Sequence, residues 1–168
     1  MSILEILILL VTPALVGLFA TIHAYAPPDR KTFGVAAFGF AVMVAGITGA
    51  NHFVQITSVN RTASKTITEV FSLYDANGTL TPVLALDLFA WDFFFGFALL
   101  FAAAIFRGDK LQGVIRACMT AGGLLCLVGV FGPLSGNLRL QYPAILGYAV
   151  VFPVVCFLLL VLFKRSGV

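Results

Sequence analysis

Five apolar runs take up almost the whole chain: Ile3 to Ala26, Thr32 to Val59, Val83 to Phe106, Ala117 to about Leu134, and Pro143 to Phe163. A hydrocarbon core of about 30 Å is crossed by about 20 apolar residues in helix. Lipid offers no partners to the backbone, so each run has to bond its own N–H and C=O groups. This pattern points to an all-α integral membrane bundle of five transmembrane helices, forming a single domain over residues 1–168. Composition agrees. The chain is 61% hydrophobic and 10% charged, whereas a soluble domain devotes about a quarter of its residues to charge.

The basic residues report topology. Arg30, Lys31, Arg107, Lys110, Arg116, Lys164 and Arg165 fall on one side of the predicted membrane, and Arg61, Lys65 and Arg139 on the other. The richer side is expected to be cytoplasmic, with the amino terminus outside and the carboxyl terminus inside. Because these residues cluster at span ends and form no stripe, a nucleic-acid partner is not expected. Ala24-Tyr25-Ala26 has the look of a signal-peptide cleavage site. No basic residue precedes the run, however, Glu5 stands where one belongs, and Arg30 and Lys31 follow, so the run is expected to be retained.

Between the second and third runs, Ile67, Val70, Phe71 and Tyr74 have the spacing of one helix face. They predict a short amphipathic helix in the outer interface, roofing the bundle, with Thr66 and Glu69 at capping-box spacing. Asp75, Asn77 and Gly78 then predict a turn. The triplets Asn60-Arg61-Thr62 and Asn77-Gly78-Thr79 match a glycosylation pattern common by chance and are read as loop chemistry. On the inner side, Asp109 is placed to cap the fourth helix.

Small residues mark packing faces. Ala37, Ala41, Ala45 and Gly49 recur every fourth residue in the second run, and the fourth carries Ala121, Gly122, Gly123, Gly129, Gly132 and Gly136. In lipid such residues let backbones approach closely. The second and fourth helices are therefore expected to be central, with the phenylalanine-rich third and fifth covering lipid-facing surface. Cys118, Cys126 and Cys156 lie in apolar stretches without a CxxC pair, which speaks against disulfide exchange. Zinc spacings, phosphate loops and repeats are absent from the sequence, so no metal, cofactor or catalytic residue is expected.

The polar residues inside the runs carry the functional question. Thr48, Asn51, His52 and Gln55 share one face of the second helix. Asp87 and Asp92 lie roughly 7 and 15 Å inside the third, which puts Asp92 near the midplane. They are about 140° apart on an ideal helix, so they flank a common interior without facing one neighbour. Glu5 and Thr12 share a face of the first helix, and Arg139 and Asn137 close the same side. Glu5, Asn51, His52, Gln55, Asp87, Asp92 and Arg139 thus converge on the outer half, with Trp91 and Tyr142 as candidate walls.

Two readings of this cluster stand side by side. In one, interhelical hydrogen bonds fix the bundle and Arg139 neutralises an aspartate. In the other, a small polar or cationic solute binds or passes, with Asp92 and Asp87 as charged ligands, because acids inside a membrane are costly. The runner-up function is an accessory subunit whose glycine-rich faces dock on a membrane-protein partner or a second copy. A lipid- or quinone-directed enzyme would rest on His52 alone. His23 lies at the opposite end from His52, so the two cannot share a haem or metal.

The segments His23 to Gly34, Asn51 to Arg61, Ala85 to Asp109 and Gly147 to Phe163 resemble a group of small uncharacterised bacterial multi-pass membrane proteins. The ALDLFAWDFF block is the most particular of these. The resemblance implies a bacterial inner-membrane setting and supplies no activity.

Overall fold

Helix is the only regular structure among the described residues, as a chain of lipid-length apolar runs requires. The computed structural model describes residues 3–73 and 80–166. Tyr74, the turn expected at Asp75, Asn77 and Gly78, and the triplet ending at Thr79 lie outside them. Five helices are long and apolar enough to cross a membrane: Ile3–Tyr25, Pro28–Arg61, Pro82–Ala103, Lys110–Ser135 and Leu138–Ser166. They are called the first to fifth spans below.

Local chemistry marks their ends. Thr81 caps the third span, its Oγ1 accepting from the Leu84 N–H at 3.0 Å, and Pro82 occupies the first turn, where no donor is needed. Asp109 caps the fourth span, as expected, accepting from the Gln112 N–H at 2.9 Å. That span stops at Gly136, whose φ of 69° suits a residue without a Cβ. A short helix, Lys65–Phe71, follows the second span. Its cap is Ser64, which accepts from the Ile67 N–H at 3.4 Å, and not Thr66, which lies inside the helix. Ile67 and Phe71 lean over Val54 and Ser58 of the second span.

The first span packs along the second, the second against the third, the third against the fourth, and the fourth against the fifth. The third span has the largest buried share of the five. This corrects the expectation that it covers lipid-facing surface. Phe95, fully buried, meets Phe19 of the first span at 6.4 Å and Phe152 of the fifth at 4.8 Å between ring centroids. The remaining expectation holds better for the fifth span, where Phe157 is exposed.

Glycine sets the distances on one side of the bundle. Backbones of the third and fifth spans reach the fourth where Gly96 faces Gly123 and Gly147 faces Gly122. A Cβ on Gly123 would lie 2.8 Å from the Gly96 carbonyl oxygen, and one on Gly147 would lie 2.9 Å from that of Gly122. In the second span the buried stripe runs Ala37, Ala41, Val44 and Thr48. Ala45 and Gly49 leave that stripe, and Gly49 faces Thr12 of the first span.

The third and fifth spans each contain one wider, π-helical turn, at Ala90–Phe94 and Gly147–Val151. Such turns insert one residue into a helix and recur at functional sites. At the lysine- and arginine-rich end, Arg30 donates to the Ile105 carbonyl at 2.8 Å, and Lys31 donates to those of His23 and Ala24 at 2.9 Å. Gln112 reaches the Tyr25 hydroxyl at 3.0 Å, and the Tyr25 ring contacts Phe106 and Phe163. These contacts fasten the first, second, fourth and fifth spans, and the segment just after the third, together at this end.

The glycine contacts give a paired prediction. Gly123→Ala pushes a methyl group against backbone and should destabilise the fold by about 1–3 kcal/mol. Gly113→Ala, which meets nothing within 4 Å, should be neutral or slightly stabilising. Thermal unfolding of both variants in one detergent checks the contrast.

Candidate functional site

The polar residues of the first three spans meet near the end of the bundle opposite the lysine- and arginine-rich end. Glu5 and His52, both almost completely buried, join the first and second spans through a contact between Glu5 Oε2 and His52 Nδ1. Asn51, on the adjoining position, donates from Nδ2 to the Val83 carbonyl at 3.3 Å and to Asp87 Oδ1 at 3.4 Å, linking the second and third spans. Thr48, fully buried one turn further in, lies beside Asp87. Helical periodicity brings Thr48, Asn51 and His52 to one side as expected, and tertiary packing supplies the acids.

A cavity of about 280 Å³ opens where these pairs meet. Ile8, His52, Asp87, Leu88, Trp91 and Tyr148 line it, so it draws on the first, second, third and fifth spans. At about 30 Å³ per water this is room for several waters or one small organic group. Its walls combine a carboxylate, an imidazole and two aromatic rings. Trp91 and Tyr148 stand 5.5 Å apart between ring centroids, and each lies on one of the two π-helical turns. Tyr148 takes the wall position that the sequence suggested for Tyr142, whose side lies out on the surface at 67% exposure.

The remaining candidates have other placements. Gln55 spends both ends of its amide on backbone: Nε2 donates to the Phe71 carbonyl at 2.5 Å, and Oε1 accepts from the Leu73 N–H at 3.2 Å. With Thr81 donating to the Ser72 carbonyl at 2.6 Å, it ties down the segment that follows the short helix. Gln55 therefore acts as a clamp on that backbone. Asp92 is 0% exposed and faces away from the cavity, toward the fourth and fifth spans. Its Oδ1 accepts from Gln141 Nε2 at 2.7 Å, and the carboxyl group lies against Gly129. Arg139 is exposed, its backbone N–H bonded to Asn137 Oδ1 at 3.2 Å, and no ion pair joins it to either aspartate among the described residues.

Two contributors escaped the sequence analysis. Gln141 sits in a polar link and carries no pattern that announces a partner 49 residues earlier. Tyr148 falls inside an apolar run, where a tyrosine is ordinarily a packing residue. Its neighbour Gly147 was the available signal, since a glycine there lets the fifth span approach the fourth. The three cysteines remain free thiols, and no group of His, Cys, Asp and Glu residues is arranged to hold a metal among the described residues.

Comparison of the chain with models of protein families, with curated proteins and with solved structures finds no match. Function has to be argued from the cavity itself.

The Gln55 clamp makes a local prediction. Gln55→Leu removes two hydrogen bonds, each worth about 1 kcal/mol. Hydrogen exchange at the Leu73 amide should then speed up about tenfold or more, while exchange in the third span stays unchanged.

Proposed function

We propose that this is a binding protein of the bacterial inner membrane, which takes a small polar or cationic group into the cavity between His52, Asp87, Trp91 and Tyr148. The observation that carries this reading is the cavity's lining. Asp87 presents a carboxylate beside two aromatic rings, and a cation gains from both kinds of wall. Glu5 is taken up by its contact with His52, which leaves Asp87 as the acid bordering the cavity. Asp92 becomes a supporting residue that holds Gln141.

The excess of basic residues at one end supports an orientation with that end cytoplasmic, the amino terminus outside and the cavity in the outer half. The short helix Lys65–Phe71 then lies at the outer interface, over the end of the second span. The alternative of an accessory subunit docked through glycine-rich faces has less support. Gly96, Gly122, Gly123 and Gly147 meet one another within the chain and are not left for a partner.

Trp91 is the single tryptophan of the chain, so its fluorescence reports the cavity directly. Butylamine titrated into the protein in nanodiscs should change Trp91 emission saturably, and Asp87→Asn should raise the half-saturation concentration about tenfold or more. Asp92→Asn should leave it within about twofold. Equal responses from the unmodified protein and Asp87→Asn would refute the assignment. For orientation, a cysteine placed at Ser64 in a background lacking the three native cysteines should react with an impermeant maleimide in intact spheroplasts. One placed at Ser166 should react only after lysis.

A further inference from the structure

The first and fifth spans are not packed along one another among the described residues. They are fastened at the lysine- and arginine-rich end through Tyr25 and Phe163, and elsewhere a cleft runs between them. In that cleft lies a second cavity, of about 190 Å³, lined by Val11, Ala14, Leu15, Leu18, Phe152 and Cys156. Its register continues the first cavity. On the first span Ile8 of the polar cavity is followed by Val11, Leu15 and Leu18 at helix-face spacing. On the fifth span Tyr148 is followed by Phe152 and Cys156, each four residues on. One stripe of surface therefore begins polar beside Asp87 and becomes wholly apolar toward the middle of the bundle. From Ile8 to Leu18 it extends about 15 Å, half of a hydrocarbon core of about 30 Å.

Resting on the binding site argued above, we propose that its ligand is a single-chain amphiphile with an ammonium head. The head sits between Asp87, Trp91 and Tyr148, and the tail lies in the cleft between the first and fifth spans. Charge selects the head. Neither cavity is lined by a lysine or arginine, and the His52 Nδ1 is taken up by Glu5, so a phosphate group finds little to bind, whereas an ammonium group finds a carboxylate and two ring faces. Size selects the tail, because the lower cavity holds only about 190 Å³ and the two cavities together extend over about one leaflet.

The test compares two primary amines, dodecylamine and butylamine, by Trp91 fluorescence of the full chain in phosphatidylcholine nanodiscs. Ala14 is exposed along the groove, so Ala14→Phe fills the groove without entering the core, and Val11→Phe does the same one turn away. Each variant should raise half-saturation by dodecylamine about tenfold or more and leave that by butylamine unchanged. Because each amine is compared with itself, partition into the bilayer cancels. Unchanged dodecylamine binding in both variants, with butylamine still saturating, would overturn the tail groove and leave the head site standing. Dodecyl phosphate, which carries no ammonium group, binding as tightly as dodecylamine would overturn the choice of head. Failure of both amines to saturate would overturn this proposal together with the function it rests on.

Discussion

Where the third, fourth and fifth spans meet, Gly96, Gly122, Gly123 and Gly147 let backbone touch backbone, and the bundle's asymmetry follows from that contact. Helices in lipid gain nothing from hiding apolar surface, so van der Waals packing at short range has to hold them together. The glycines concentrate that packing around the fourth span. The first span, which carries no such face toward the fifth, is held mainly by the second. The cleft between the first and fifth spans is what remains when the close contacts lie elsewhere. Pinning at Tyr25 and Phe163 keeps it from closing or splaying at its far end.

Polar side chains inside the bundle are arranged pairwise across spans, and this arrangement separates scaffold from site. Glu5 with His52 couples the first and second spans, Asn51 with Asp87 the second and third, and Asp92 with Gln141 the third and fifth. A buried acid without a partner would destabilise the fold heavily, so each pairing also fixes which helices are neighbours. Asp87 differs from the other two acids. Glu5 is 3% and Asp92 0% exposed, whereas Asp87 is only partly covered and borders open volume. Partial burial of a carboxylate beside open volume is what suits Asp87, and not Glu5 or Asp92, to the binding role proposed for it.

Span number, approximate span limits and the Asp109 cap could be read from the sequence because each depends on local chemistry: run length, hydropathy and one side-chain oxygen. The shared face of Thr48, Asn51 and His52 was legible for the same reason. What could not be read depends on neighbours. The centrality of the third span was hidden because phenylalanine suits both lipid and a core, and only packing shows that Phe95 sits between Phe19 and Phe152. The different surroundings of Asp87 and Asp92 agree with the roughly 140° between them on a helix, but which of the two borders the cavity and which meets Gln141 depends on the neighbouring spans. The partners of Gln55 were not legible either, because they are backbone groups of the connection beyond the short helix.

The distribution of polarity along the bundle also bears on whether a solute is held or carried through. The cluster of Glu5, Asn51, His52 and Asp87 lies in one half. Toward the other end, Phe19, Ile22, Leu99, Phe106, Met119 and Leu159 are packed at or near zero exposure. An ion crossing that layer would lose its hydration without gaining a partner, which is costly. The cleft opens sideways instead, toward the acyl chains. A guest entering there need not shed its tail from lipid. Only its head exchanges one polar surrounding for another, and an amphiphile meets that condition where a free ion does not.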